Sequence, residues 1–163
     1  MADVELRQYL ASDHDAVLQL HFKGLEQTGV RLNAKLALGL DDDLSRIEEA
    51  YLIGGDFLIT TIDNKIVGMG AFQKIDDETA EIKRMRVEPD YQGKGIGSLI
   101  LDTLIDKAKA AGYRKLVLDT TDKMQAAQHL YRSRGFKEYK RSPFGDIMII
   151  FYELNFNNVI ASH

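Results

Sequence analysis

From residue 88 to residue 105 the chain reads Glu88-Pro89-Asp90-Tyr91-Gln92-Gly93-Lys94-Gly95-Ile96-Gly97-Ser98-Leu99-Ile100-Leu101-Asp102-Thr103-Leu104-Ile105. The first part is the densest glycine cluster in the chain, and the second opens its clearest helix. Ile96, Ile100, Leu104 and Ala108 recur every four residues, Leu101 and Ile105 widen the stripe, and Gly112 stands where a C-cap belongs. Glycines at such a junction let backbone N–H groups point into one concavity. The helix N-terminus adds partial positive charge, so the junction suits a phosphate or pyrophosphate. The spacing is not that of a P-loop, which needs Gly, four residues, then Gly-Lys-Ser/Thr. A dinucleotide fingerprint starting at Gly95 would need glycine or alanine where the chain has Ile100. Read without a ligand, the same residues form a flexible turn.

Just before the cluster, Thr79 to Val87 reads as a strand with a fault in its period. Ala80 and Ile82 share one parity and Met85 and Val87 the other, so one apolar face survives only if an extra residue enters near Lys83-Arg84. That predicts a β-bulge, a feature frequent beside active sites. Beyond the long helix, Lys115 to Asp119 reads as a buried strand. Following a helical crossover, it suggests parallel pairing. A second helix runs from about Met124 to Arg134 and stops at Gly135. Strands around Phe136 to Lys140 and Asp146 to Leu154 follow, the latter apolar on both faces and therefore either central or at a dimer edge.

Toward the N-terminus, Phe57–Ile62 and Ile66–Phe72 form a hairpin turned by Asp63-Asn64. Val4, Leu6 and Tyr9 open the chain as a short strand, and Ser12 with Asp15 reads as a capping box for a helix ending before Gly29. Asp41-Asp42-Asp43 can start a short helix through Ile47 and Ala50, facing solvent or forming a rim that attracts a cationic acceptor. The element order β, α, α, β, β, β, α, β, α, β, β gives an α/β fold. Its sheet is mixed and has helices on its faces.

The 163 residues form one domain, with no linker and no repeat. Zero cysteines exclude a disulfide framework, a thiolate zinc site and a cysteine nucleophile. A formal charge of −4 argues against general nucleic-acid binding. No apolar run approaches the ~20 residues of a membrane span, and no signal peptide is evident, so a soluble cytoplasmic protein is expected. His14, His21, His129 and His163 fall into no ligand spacing, and no metal is expected.

Gln92-x-x-Gly95-x-Gly97 resembles the Gln/Arg-x-x-Gly-x-Gly/Ala signature of the GNAT family of N-acetyltransferases. A second block, Ala127-x-x-Leu130-Tyr131-x-x-x-Gly135-Phe136, resembles another of that family's signatures, in the same order and at the same remove. The likeness runs from about residue 4 to residue 154. It implies the acyl-CoA N-acyltransferase fold, a mostly antiparallel sheet of about seven strands with helices on both faces. It also implies acetyl transfer from acetyl-CoA to a primary amine within a ternary complex.

Gln92, Gly93, Lys94, Gly95, Ile96, Gly97 and Ser98 would then hold the pyrophosphate. Backbone groups of Met85 and Val87 would pair with the pantetheine arm as a pseudo-strand. The thioester would lie where the strand near Val87 splays from the strand near Leu118. The family often has Asn seven residues before the tyrosine; here that position is Met124, leaving Gln125 or Thr121 to supply the hydrogen bond.

An amine must be neutral to attack, which calls for a base. Glu81 lies on the bulged strand eleven residues before Gln92, a spacing that resembles the glutamate of the family's histone-acetylating branch. Ordered water could carry the proton instead. Tyr131 would protonate the departing thiolate. The amine acceptor, small molecule or peptide, is not legible from the sequence, and a homodimer is expected by family analogy alone; the competing readings are a coenzyme-A-binding module without turnover and an acyltransferase using another acyl group.

Overall fold

The computed structural model describes residues 3–28 and 42–156. Asp41 and His163 lie outside the described residues. Within them, β1 (Val4–Gln8) leads to α1 (His14–Thr28) and the short α2 (Ile47–Tyr51). The strands β2 (Asp56–Ile62), β3 (Lys65–Lys74) and β4 (Thr79–Val87) follow. The chain then alternates through α3 (Ile96–Ala110), β5 (Lys115–Thr121) and α4 (Gln125–Ser133), and closes with β6 (Lys137–Phe144) and β7 (Ile147–Asn155). The described strands make one sheet of seven in the order β1-β2-β3-β4-β5-β7-β6, the acyl-CoA N-acyltransferase fold that the sequence implied.

Every neighbouring pair is antiparallel except β4 with β5, which the α3 crossover joins in parallel. Helices cover both faces. On one, Ile96, Ile100, Leu104 and Ala108 of α3 and Tyr131 of α4 bury against Val67, Phe72, Ile82 and Leu118. On the other, Val17 and Leu20 of α1 and Ile47 and Tyr51 of α2 bury against Phe57, Ile59, Met69 and Ala71. The stripe read from α3 is the stripe that is buried, each fully buried leucine or isoleucine contributing roughly 1.5–3 kcal/mol. The β2–β3 hairpin turns at Asp63 and Asn64 with φ of 51° and 65°, the left-handed pair of a two-residue turn.

Two local expectations are corrected. The entry to α1 is capped by Asp13 rather than by Ser12 and Asp15. The Asp13 carboxylate accepts the Leu10 N–H at 2.8 Å and is forked by the Arg7 guanidinium at 2.7 and 2.9 Å. A salt bridge to β1 outcompetes a hydroxyl cap because the charge-assisted bonds are stronger. Asp43 likewise neither faces solvent as a simple helix start nor stands free on a rim for a cationic acceptor. It is ion-paired with the buried Arg84 of β4 and accepts a hydrogen bond from the Tyr51 hydroxyl. Of the two readings open for β7, the central one is observed, since β5 and β6 flank it.

Candidate active site

The bulge falls where the period fault placed it. Arg86 stands opposite Met69 and Lys83 opposite Ala71, so three steps on β4 match two on β3. The extra residue is Arg84, at φ 62°. A left-handed arginine costs roughly 1–2 kcal/mol, and the side chain recovers it through contacts. Its Nε donates to Asp43 Oδ2 at 3.0 Å and to the Tyr51 hydroxyl at 3.3 Å. Burial alone would raise the Asp43 carboxyl, but Arg84 outweighs it and holds Asp43 below the usual carboxylate range. The bulge is thereby bolted to α2.

The parallel ladder ends beside the bulge. Thr79, Ala80 and Glu81 pair with Lys115, Leu116 and Val117, and no register continues beyond them. The upper halves of β4 and β5 therefore diverge. Glu88 donates its N–H to Val67 at 2.8 Å, so Val87, one residue earlier, turns its own N–H and C=O away from β3 and toward the opening.

A cavity of about 810 Å³ fills this divergence. It runs from the bulge, along β4, over the glycine junction and against α4. Gly93 and Gly95 have φ of 76° and 84°, which explains two of the glycines. Gly97 answers a different need: a Cβ there would stand 3.8 Å from both Val87 and Leu130, filling the cradle they form. Gly95 caps α3 without a side chain, so the helix presents its first N–H groups bare to the cavity. The Gln92 side chain is committed elsewhere, its amide donating to the Val87 carbonyl at 3.0 Å.

Of the residues expected to hold coenzyme, Met85, Val87, Gln92, Gly93, Gly95, Ile96, Gly97 and Ser98 line the cavity. Lys94 does not; its Nζ lies 5.4 Å from the centre of the Tyr91 ring. Between the two candidates to replace the missing asparagine, Thr121 lines the cavity beside Met124 and Gln125 does not. The Thr121 hydroxyl caps the turn into α4 by accepting the Lys123 N–H at 3.2 Å.

Tyr131 lines the cavity and is 6% exposed, its ring packed on Phe136 and Tyr152 with centroids 5.9 and 6.3 Å away. Burial pushes its phenol up to about 12; Arg86 pulls it down and Asp119 pushes it further up. Glu81 sits one step back from the cavity wall, at the last pairing with Val117, where it accepts from the Gln73 amide at 3.2 Å. Burial raises its carboxyl above the usual range, opposed by Lys83 and Gln73 and assisted by Asp119. Arg86 and Asp119 are cavity residues that the motif reading missed. The strand period could have flagged Asp119, two residues beyond Val117 on the same face; nothing local marks Arg86.

The sequence model described as the Acetyltransferase (GNAT) family matches residues 32–136. The chain belongs to the GNAT family. Human N-acetyltransferase 8B is 32% identical over 114 residues, covering 66% of this GNAT chain and 50% of that protein. The N-acetylaspartate synthetase of Danio rerio is 35% identical over 105 residues, covering 63% and 37% respectively. The chain thus spans half or less of the length of these relatives. A GNAT acetyltransferase structure from Staphylococcus aureus Mu50 superposes with a TM-score of 0.81 at 25% identity, covering 95% of this chain and all of that one. A Salmonella typhimurium protein solved with its cofactor acetyl-CoA shares the fold, with a TM-score of 0.75 at 22% identity over 96% of this chain and 95% of that one. Among the described residues no helix is long and apolar enough to cross a membrane, and no group of three or more His, Asp or Glu is placed to hold a metal.

Proposed function

We propose that this GNAT protein transfers an acetyl group from acetyl-CoA to a primary amine within one ternary complex. The observation that carries the reading is the parting of β4 from β5 immediately beside the glycine-capped start of α3, with Tyr131 on the wall between them. The residues fit the coenzyme. Bare N–H groups at the α3 N-terminus suit a pyrophosphate. The outward-turned Val87 N–H suits an amide-bearing arm laid along β4. A cavity within the roughly 300–1,000 Å³ of ordinary ligand sites has room for the arm. When bound, acetyl-CoA supplies an activated thioester.

The protein's own groups do the rest. Backbone N–H groups exposed where β4 and β5 part polarise the carbonyl. The amine nitrogen bonds to the acetyl carbon as the carbon–sulfur bond breaks, the sulfur takes the Tyr131 proton, and the proton shed by the amine restores that hydroxyl through solvent. A phenol near 12 is a weak donor to a thiolate whose acid lies near ~8.5 in water, but the burial that raises the phenol raises the thiol in the same direction. Glu81, set behind the wall with a raised carboxyl, accepts the proton of the incoming ammonium by way of water.

Calorimetric titration with acetyl-CoA, coenzyme A and ATP tests the cofactor. Micromolar binding of both coenzyme forms with far weaker ATP is the expected result. No binding of either would end the assignment, and binding without turnover of any amine would make the protein a coenzyme-A-binding module.

A further inference from the structure

The acceptor side of the opening carries opposite charges on opposite walls. Lys83 and Arg86 stand across from Ala71 and Met69, which belong to the core under α1 and α2, so both side chains project on that face of β4. Arg84, at the bulge between them, is turned onto Asp43 and contributes no net charge there. On β5, Asp119 lies two residues beyond Val117, the partner of Glu81, and so shares the same face. Lys83, Arg86 and Asp119 all line the cavity. The divergence of the strands holds the cationic wall and the carboxylate apart, with Tyr131 within the field of both.

Arg86 is also built into place. A Cβ at Gly24 would stand 2.7 Å from Arg86 Cδ, so the glycine in mid-α1 makes room for the arginine stem. That glycine costs α1 roughly 1 kcal/mol. The guanidinium donates to the Met85 carbonyl at 3.1 Å and lies 3.5 Å from His21 Nδ1, with His21 fully buried beneath it. A preorganised guanidinium is the side chain suited to a carboxylate, which it recognises by its planar fork.

We propose that the acceptor is a free amino acid or a similar small zwitterion, its carboxylate held by Arg86 and its ammonium brought to Asp119. This rests on the acetyltransferase reading above and names its substrate class. The charges then set the orientation: the carboxylate anchors on β4, and the nitrogen meets the acetyl carbon beside Tyr131. A peptide N-terminus or a simple alkylamine satisfies only the Asp119 half of the site.

The test is a turnover panel of the twenty proteinogenic amino acids. For each one acetylated, it adds the corresponding amide and the decarboxylated amine. An amino acid should exceed both analogues in kcat/KM by about tenfold or more, the value of one charge-assisted contact. Arg86→Gln should erase that ratio, KM for the amino acid rising more than KM for the decarboxylated amine; Arg86→Lys should restore part of it. Equal rates on acid, amide and decarboxylated amine would overturn the inference, as would an unchanged ratio in Arg86→Gln or turnover confined to amines without a carboxylate. Acetyl-CoA binding with no amino acid acetylated would overturn it too. Calorimetry on the same preparation separates the failures, because a protein that binds no acetyl-CoA loses the acetyltransferase reading itself. If Arg86→Gln does not fold, the wild-type ratio and the Arg86→Lys variant decide.

Discussion

The same two strands behave differently at their two ends. At the base, Thr79–Glu81 and Lys115–Val117 are laddered in parallel, with Ala80 and Leu116 fully buried. Beyond Glu81 they part, and Met85, Val87, Asp119 and Thr121 line a cavity. One extra residue, Arg84, lies just past the point where they separate. The lower half uses its backbone groups on the neighbouring strand and gains stability. The upper half gives up that pairing, leaving the Val87 N–H aimed into the opening. Stability and the proposed chemistry thus fall to adjacent segments of one strand, and the bulge marks the changeover.

The sharpest break in this comparison removes the chemistry without disturbing the ladder. Tyr131→Phe should lower kcat by about 10²–10⁴ while acetyl-CoA affinity, measured by calorimetry, stays within about threefold. Unaltered kcat would strip Tyr131 of the acid role. With a hydroxyl raised to about 12, the wild-type pH–rate profile should show no loss from this group below about pH 10.

A second break acts on the bulge. Arg84→Ala leaves the half-buried Asp43 carboxylate without its ion-pair partner, and denaturant unfolding should register a loss of about 3 kcal/mol. Because Asp43 titrates below its ordinary value when folded, the stability it contributes is present above that value and disappears as pH falls through the depressed one. An Asp43→Asn variant should therefore flatten the acid limb of the stability curve.

Two smaller perturbations sharpen the contrast. Gly97→Ala should fold normally, since its Cβ meets only ordinary contacts. It should nevertheless weaken acetyl-CoA by about tenfold or more by filling the cradle between Val87 and Leu130. Glu81→Gln bears on the boundary itself. The folded carboxyl is raised, so wild-type stability is greatest below the ordinary value of 4.5 and declines as pH rises through the raised one. The glutamine variant should be at least as stable at pH 8 while kcat/KM falls by about tenfold. A parallel loss of stability and rate would make Glu81 a structural residue.

Much of this was legible in local sequence. The parity switch between Ile82 and Met85 located the bulge because a strand has a period of two and cannot change face without inserting a residue. The glycine block located the start of α3 because only glycine holds φ near 80° cheaply. The caps were less legible. Ser12 and Asp15 fit a local rule, but Arg7 of β1 reached Asp13 first, and a partner six residues away in a different element leaves no periodic trace. Asp43 is the same case at longer range, because Arg84 lies 41 residues further on.

By itself, the sequence determined the element order, the bulge and the glycine cradle, each fixed by backbone constraints acting over a few residues. The tertiary structure alone decided which charges share the opening. Arg86 and Asp119 come from strands separated by a helix, Gly24 makes room for one of them from another helix still, and Glu81 stands behind the wall rather than on it. These placements follow from how the strands part and how the helices pack across them, a geometry set by the whole sheet and encoded at no single position.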